Sequence, residues 1–258
     1  MNSLTLYEVR NDVAWIMLNQ PDKRNALSED LITELRRNLA SAHADPQVRF
    51  VVLTGAGSAF CAGADLKSLG GAPTATGADP AADNPMVALM QALWNSPKPV
   101  IGRINGHAFG GGLGLVAACD LTVAAEPAMF SFSEVRVGVI PAMISVLCIP
   151  KLGAHNAMWL FLTGERFTAT RAVQLGLIHR SVPAADLDAA VNDVVGMIRL
   201  GGPNAIREAK QLVRQIPRLS MEDGFRYTSR KIAELFASEE AVEGMSAFIE
   251  KRKPKWAQ

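Results

Sequence analysis

The sequence is poor in cysteine and has no metal-binding pattern. Its three cysteines, Cys61, Cys119 and Cys148, are odd in number and far apart in the chain. Neither a disulfide framework nor a CxxC zinc site is therefore indicated, and the histidines outside the glycine-rich stretch have no acidic or cysteine partner at ligand spacing. These absences predict no metal ion and favour a reducing, cytoplasmic compartment.

An excess of one charge and a long apolar run are also missing. The 26 lysines and arginines nearly balance the 25 aspartates and glutamates, which leaves a formal net charge of +1. That balance excludes a general electrostatic attraction to nucleic acids or membranes. The longest weakly polar run, residues 108–119, is too short and too rich in glycine to span a bilayer. The first five residues lack the charged and apolar regions of a signal peptide, so we expect none.

Several nucleotide-binding and hydrolase motifs are absent as well. The sequence has neither the GxSxG nucleophile elbow nor the GxxxxGK[ST] phosphate loop. Gly55-Ala56-Gly57 begins like a dinucleotide-binding fingerprint, but Phe60 occupies the position of the required third glycine. The sequence therefore does not indicate any of these three kinds of site.

The sequence does contain two apolar segments, each followed by a stretch of small residues. Residues 98–104 predict a buried strand, and the glycines at 110–112 are followed by an apolar run that predicts a buried helix. Residues 50–53 predict another strand, followed by small residues as far as Asp65. The first N–H groups of a helix have no intrahelical acceptor, and glycine lets a ligand approach them closely. Such a turn suits an anion or a carbonyl oxygen that gains charge, or it is simply a tightly packed turn.

The rest of the chain predicts a strand-rich first part and a helical last part. Residues 4–10 and 13–18 predict a hairpin that turns at Asn11-Asp12, and Ser28 is a predicted helix N-cap. Past Pro141 the pattern is mainly helical. The length of 258 residues suits one larger domain with a helical appendage.

Motifs along the chain resemble those of the enoyl-CoA hydratase/isomerase (crotonase) superfamily, and they occur in the family order. The strongest are GAGSAFCAGADLK at residues 55–67 and INGHAFGGGLGLVAACD at residues 104–120. LNQPDKRNALS precedes them, and FSFSEVRVGVIP and FIEKRKPKW follow. The resemblance covers essentially the whole chain. It specifies the reaction only weakly, because this fold hosts many chemistries.

The resemblance implies an α/β fold. We expect a crotonase-like spiral of repeated ββα units over residues 1–200 and a C-terminal helical trimerisation region over residues 201–258, both in one functional unit. A homotrimer or a dimer of trimers is implied. Residues 70–85 are of low complexity and predict a mobile loop, which is either a lid over the acyl pocket or a disordered insert.

The resemblance also implies the catalytic groups. In the family, two backbone N–H groups hold the thioester oxygen, and the matching positions here are Ala64 and Gly111. Hydratases of the family typically carry two glutamates; Glu134 matches one, whereas Gly114 stands at the position of the other. The missing side chain at Gly114 is expected to leave space for a branched or bulky acyl group. Alternatively, Glu134 lies on an extended strand and forms a structural ion pair with Arg136.

Coenzyme A is expected to bind to several segments at once. Backbone groups would bind adenine and pantetheine, and cationic side chains would meet the phosphates. The matching positions are Lys23, Arg24, Ala26, Ala62, Ala64, Asp65, Leu66, Lys67, Gly111, Phe248 and Lys251, the last two contributed by a neighbouring subunit. Taken alone, Lys23 and Arg24 have a simpler interpretation as a solvated loop, and Lys251 as part of a helix C-terminus.

The sequence therefore favours an enzyme that acts on an acyl-CoA thioester. The favoured reaction is hydration of a trans-2-enoyl-CoA through a backbone oxyanion hole and Glu134. One alternative is a Δ3,Δ2-enoyl-CoA isomerase that uses the same glutamate, and another is a CoA-binding relative with weak or no activity. No cofactor is expected, because coenzyme A is part of the substrate, and neither nucleic acid nor membrane is an expected partner.

Overall fold

The computed structural model describes residues 3–65 and 84–258. The chain divides into two units, Met1–Val191 and Asn192–Gln258, each with its own dense set of internal contacts. The strands of the described residues all lie in the first unit, and the second unit is helical. The division predicted at residue 200 remains a prediction.

The described residues form ten strands and nine α-helices. The strands are β1 (Thr5–Arg10), β2 (Val13–Leu18), β3 (Phe50–Gly55), β4 (Ala59–Cys61), β5 (Val100–Ile104), β6 (His107–Phe109), β7 (Leu121–Ala125), β8 (Met129–Ser131), β9 (Phe167–Thr168) and β10 (Arg180–Val182). The helices are α1 (Glu29–Ala44), α2 (Pro85–Trp94), α3 (Gly111–Ala118), α4 (Ala142–Thr163), α5 (Ala169–Gln174), α6 (Leu187–Arg199), α7 (Pro203–Gln215), α8 (Met221–Phe236) and α9 (Glu239–Ile249). None of these helices combines the length and the apolar character that crossing a bilayer requires.

Two sheets organise the first unit. The larger has the order β1-β2-β3-β5-β7-β10 and is parallel except for the β1–β2 hairpin. The smaller has the order β4-β6-β8-β9, in which β4, β6 and β8 are parallel and β9 is antiparallel to β8. Asn11 and Asp12 turn the hairpin with φ angles of 47° and 66°, as a type I′ turn requires, so the predicted hairpin is confirmed.

The chain follows the same path three times, and this repetition confirms the predicted spiral. β3 lies in the larger sheet and β4 in the smaller one, and α2 comes next among the described elements. The pairs β5–β6 and β7–β8 repeat the step, followed by α3 and, after a 3-10 turn, by α4. Each repeat therefore contributes one short strand to the smaller sheet.

Burial explains why the repeated elements are so apolar. All six residues of β3 are buried, which is typical of a parallel strand covered on both faces. In α3, every residue after Gly111 is buried. On the surface of the unit, the Ser28 hydroxyl accepts a hydrogen bond from the Leu31 amide (3.3 Å), and this confirms the predicted N-cap of α1.

The second unit is tied together by contacts between its own helices. The carboxylate of Glu240, on α9, accepts hydrogen bonds from the amides of Asn204 and Ala205 (2.9 and 2.8 Å). These amides begin α7 and would otherwise have no acceptor, and a negative charge is favourable at a helix N-terminus. The Trp256 indole donates to the Leu200 carbonyl at 3.1 Å.

Candidate active site

Three strands of the smaller sheet end beside the three residues predicted to be catalytic. Ala64 follows β4, Gly111 follows β6 and Glu134 follows β8, each within three residues of the strand end. Because β4, β6 and β8 are parallel neighbours, their carboxyl ends meet at one edge of the sheet. The fold therefore brings these residues together from three successive repeats.

The backbone around Ala64 leaves its own amide pointing away from the neighbouring segment. The Leu27 amide donates to the Gly63 carbonyl (2.8 Å), and the Asp65 amide donates to the Leu27 carbonyl (3.2 Å). Leu27 and Ala64 thus form an isolated parallel bridge in which Leu27 makes both hydrogen bonds. In such a bridge the N–H of the opposite residue points to the other side. Among the described residues, the Ala64 N–H therefore has no acceptor and is available to a ligand.

Gly111 supplies a second available amide because it begins a helix. It is the first residue of α3, and the preceding Gly110 has φ 49° and ψ −122°, a conformation that residues with a Cβ rarely adopt. No side chain of residues 3–65 or 84–258 caps this end. The first N–H groups of a helix have no intrahelical acceptor, and the helix dipole makes this end positive.

The two amides lie side by side. The Ala64 nitrogen is 3.7 Å from the position that a Cβ on Gly111 would take, and the Gly111 nitrogen is 3.2 Å from the corresponding position on Gly63. Within residues 3–65 and 84–258, neither amide donates a hydrogen bond. A carbonyl oxygen that accepted from both would be stabilised if it gained negative charge.

Glu134 lies next to these amides in a conformation that the sequence did not predict. It begins a 3-10 helix (Glu134–Val137), so the prediction of an extended strand is wrong. Its Oε1 is 3.4 Å from the Cβ position on Gly110, and its Oε2 is buried with no hydrogen-bond partner among the described residues. Burial raises the pKa of this carboxyl, and a hydrogen bond from its own backbone N–H lowers it by less.

The alternative role of Glu134 in an ion pair with Arg136 is also wrong. The Arg136 guanidinium instead donates to the Thr163 carbonyl at 3.4 Å. In the part of the chain that the structure describes, no salt bridge involves Glu134. The carboxyl is therefore half-buried, without a cationic partner, and beside two available amides.

The space at Gly114 is filled rather than open. A Cβ placed on Gly114 would lie 2.3 Å from Met90 Cε and 2.5 Å from Ile144 Cγ2. Both side chains are at least 95% buried. The prediction that the missing glutamate leaves room for a bulky acyl group is therefore wrong, because two apolar side chains from α2 and α4 occupy this volume.

Some of the predicted coenzyme A positions lie next to one another in the structure. Lys23 and Arg24 are exposed, and the Arg24 carbonyl accepts a hydrogen bond from the Ala62 amide at 2.9 Å. Residues 23–26 therefore lie beside residues 62–65, and their role in binding coenzyme A stays a prediction. Leu66, Lys67 and residues 70–83 of the predicted loop fall outside the described residues. The predicted loop bound at residue 85 is wrong, because Pro85 begins α2.

The two remaining predicted positions lie in the second unit. Phe248 is in the last turn of α9 with 86% of its surface exposed, and Lys251 follows with φ 54°. The expectation that they contribute to a neighbouring subunit's site stays a prediction.

Two asparagine side chains that sequence reasoning missed, the buried Asn25 and the half-buried Asn105, hold the segment before Ala64. Asn25 Nδ2 donates to the carbonyls of Ala56, Ala59 and Phe60 at 3.0, 2.8 and 3.2 Å. Asn105 Nδ2 donates to the Gly57 carbonyl (2.9 Å), and its Oδ1 accepts from the Gly55 amide (3.0 Å). Both residues stand inside the recognised motifs, and that position was the only signal in the sequence.

Comparison with known proteins decides the family. The profile of the enoyl-CoA hydratase/isomerase family matches residues 8–258. The chain belongs to this family. A Thermus thermophilus protein provisionally named enoyl-CoA hydratase is 36% identical over 249 residues, which is 96% of this chain and 98% of that protein. A peroxisomal Δ(3,5)-Δ(2,4)-dienoyl-CoA isomerase of Arabidopsis thaliana is 32% identical over 96% of this chain and 93% of its own.

The fold agrees with the family assignment. The crystal structure of an enoyl-CoA hydratase from Shewanella pealeana matches with a TM-score of 0.90 at 34% identity, over 98% of this chain and 96% of that one. The predicted crotonase fold is therefore confirmed. Enzymes of the family act on acyl-CoA thioesters. Because relatives include hydratases and isomerases, the reaction has to be argued from the site itself.

Proposed function

We propose that this protein is an enoyl-CoA hydratase that adds water to a trans-2-enoyl-CoA, or removes it in the reverse direction. The observation that carries the proposal is the meeting of three groups at one sheet edge: the Ala64 amide, the Gly111 amide and the Glu134 carboxyl. The relatives named as hydratases support the same reaction.

The two amides act on the thioester oxygen. When the oxygen of water bonds to C3 of the enoyl group, the electrons of the double bond move towards C2 and the thioester, and negative charge develops on the thioester oxygen. Ala64 and Gly111 donate hydrogen bonds to that oxygen. Removing one such donor in other enzymes costs about a hundred- to a thousandfold in rate, so the pair supplies a large part of the catalysis.

Glu134 carries the proton. Its ionised carboxylate takes a proton from water as the oxygen attacks C3, and the same carboxyl then returns that proton to C2. One molecule of water is added, and Glu134 ends in its starting state, so the reaction needs no cofactor. A pKa raised by burial suits this role, because the carboxyl then binds a proton more readily than an ordinary glutamate does.

An isomerase is the second candidate, and the packing at Gly114 is the observation that favours it. Met90 and Ile144 fill the position where a second carboxyl would help to hold water. A single carboxyl can take a proton from C2 of a 3-enoyl-CoA and return it at C4, a reaction that consumes no water. The isomerase named among the relatives is consistent with this alternative.

A paired assay separates these reactions. Purified protein would be given crotonyl-CoA, with loss of conjugated enoyl absorbance as the signal, and a 3-enoyl-CoA, with gain of that absorbance. We expect loss from crotonyl-CoA, and a decrease of about a hundred- to ten-thousandfold in Glu134→Gln. Glu126→Gln is the matched control, because Glu126 is exposed and directly follows β7.

Three results would contradict the proposal. Gain of conjugation with crotonyl-CoA untouched would establish the isomerase. Equal rates in the wild type and Glu134→Gln would exclude Glu134 from the reaction. Acyl-CoA binding without turnover of either substrate would identify a CoA-binding relative that lacks this activity.

A further inference from the structure

Two methionines of α2 pack on two glycines of α3 beside the proposed oxyanion hole. Met86 Cε is 3.3 Å from the Cβ position of Gly111, and Met90 Cε is 2.3 Å from that of Gly114. The methionines are four residues apart and the glycines three, so each pair lies on one face of its helix. The two contacts are consecutive steps along one helix–helix interface.

Side chains from two other segments complete this surface. Ile144 Cγ2, from α4, is 2.5 Å from the Cβ position of Gly114, and Leu27 Cδ1 is 3.3 Å from that of Gly111. We call Leu27, Met86, Met90 and Ile144 the apolar wall; each is at least 92% buried. The wall has no polar group other than the methionine thioethers.

The wall lies within reach of an acyl chain whose thioester oxygen is held at the Gly111 amide. Gly114 follows Gly111 by about one helical turn, or ~5 Å along the helix axis. This distance is comparable with the reach of a short acyl chain from its thioester carbonyl. An acyl group whose oxygen is bound by the Gly111 amide would therefore bring the carbons beyond C2 to Met90 and Ile144.

We propose that Met90 and Ile144 determine which acyl groups this site accepts, and that they restrict it to short, apolar chains without a branch at C3. The proposal rests on the proposed function, because it places the thioester oxygen on the Ala64 and Gly111 amides. Ile144 is β-branched and has few rotamers, so it sets a fixed limit. Met90 reaches the site with the end of a flexible side chain, so it sets an adjustable one.

Equilibrium binding of saturated acyl-CoA thioesters tests this proposal without depending on turnover. Butyryl-CoA and 3-methylbutyryl-CoA would be titrated calorimetrically into the wild-type chain and into Ile144→Ala and Met90→Ala. The wild type is expected to bind butyryl-CoA more tightly. Ile144→Ala is expected to shift the ratio of the two Kd values about tenfold towards the branched ligand, and Met90→Ala less, because one methyl group in an apolar pocket discriminates by about that factor or more.

Ile149→Ala is the matched control, since Ile149 lies on the same helix and is 39% exposed. A wild type that binds the branched ligand equally well, or an unchanged ratio in both wall variants, would overturn the proposal. So would an equal shift in Ile149→Ala. If Ile144→Ala does not fold, Met90→Ala should still shift the ratio in the same direction, and no shift there would also overturn it.

The outcome separates this inference from the proposed reaction. Binding that follows the predicted ratios in a protein that does not hydrate enoyl-CoA would support the wall and contradict only the hydratase. Absence of binding to any acyl-CoA would contradict both.

Discussion

At the scale of single residues, the chemistry depends on a carboxyl whose surroundings disfavour its charge. In the part of the chain that the structure describes, Glu134 Oε2 is buried and has no hydrogen-bond partner, and burial raises the pKa of the group. Hydration needs the ionised form, since a protonated carboxyl cannot accept a proton from water. Two consequences follow, one for activity and one for stability.

Activity should fall on the acid side at a higher pH than an ordinary glutamate would produce. As the pH decreases through the raised pKa of Glu134, the fraction of ionised carboxylate decreases, and kcat/KM for crotonyl-CoA decreases with it. A pH–rate profile of the wild type checks this. Glu126→Gln should give the same profile, and a wild-type profile that stays flat down to the ordinary glutamate range would contradict the assignment.

Stability of the folded protein, in contrast to activity, should decrease as the pH rises through the range in which Glu134 ionises. A carboxyl whose pKa is higher in the folded than in the unfolded protein loses stability as the pH rises from the unfolded pKa to the folded one, and the full penalty is present above both. Glu134→Gln removes that penalty. Its Tm at neutral pH is therefore expected to equal or exceed that of the wild type in thermal denaturation. A clear decrease in Tm would show that Glu134 has a structural role.

Asn25 is expected to matter for stability, unlike Glu134. Its side-chain amide donates to three carbonyls and is fully buried, and its φ of 55° is one that asparagine tolerates better than alanine. Asn25→Ala should lower the free energy of unfolding by about 1–3 kcal/mol, because it leaves carbonyls unsatisfied. Denaturant unfolding measures this, with the exposed Asn192→Ala as control; equal stabilities would contradict the account.

At the scale of elements, the close packing of α2, α3 and α4 around Gly114 should tolerate no added volume. Gly114→Ala is expected to cost about 1–3 kcal/mol of unfolding free energy, since Ile144 cannot move without its helix. Ile144→Ala removes the Cγ2 atom that this Cβ would meet, so Gly114→Ala is expected to cost less when combined with Ile144→Ala than in the wild type. A double-mutant cycle in denaturant measures the coupling between the two positions.

Gly196→Ala is the matched control for that cycle. A Cβ on Gly196 would meet no atom within 4 Å, and this residue lies inside α6. There alanine should leave stability unchanged or increase it, because it is the better helix former. If Gly114→Ala behaved like Gly196→Ala, the packing described around Gly114 would be contradicted.

The elements also show what the sequence could and could not predict. The β1–β2 hairpin and the Ser28 cap depend on local residue chemistry, and both are confirmed. β4 and β6 each have three residues within turn-like sequence, so their pairing could not be seen. The sequence predicted a mainly helical pattern past Pro141, where α4 begins, but not the kink inside that helix at Gly153, which has φ 72°.

The same distinction between local signals and tertiary contacts applies to the candidate site. Ala64, Gly111 and Glu134 could be named because each stands in a recognisable motif. The side chains that fill the space beside Gly114 could not be predicted, because Met90 and Ile144 come from other helices and meet only in the folded chain. The conformation of Glu134 was also hidden, since four residues of 3-10 helix have no clear sequence signature.

At the scale of the whole molecule, exposed apolar side chains bear on assembly. In the second unit, Phe225, Phe248 and Ile249 are 69%, 86% and 77% exposed in the single chain. Large apolar surfaces of this kind commonly mark protein interfaces. We expect the trimer or dimer of trimers that the resemblance implies, and light scattering should give three or six times the chain mass of 27.6 kDa. A monomeric mass would contradict this expectation.

The central claim is that Glu134 alone moves the proton that hydrates an enoyl-CoA, and the mass of the product tests it most directly. Crotonyl-CoA would be incubated with the wild type and with Glu134→Gln in water enriched in oxygen-18. The masses of the acyl-CoA products would then be measured by mass spectrometry. The account predicts that the wild type adds one labelled water to the substrate and that Glu134→Gln leaves nearly all of it unchanged. Labelled product formed equally by both proteins, or no labelled product from the wild type, would contradict it.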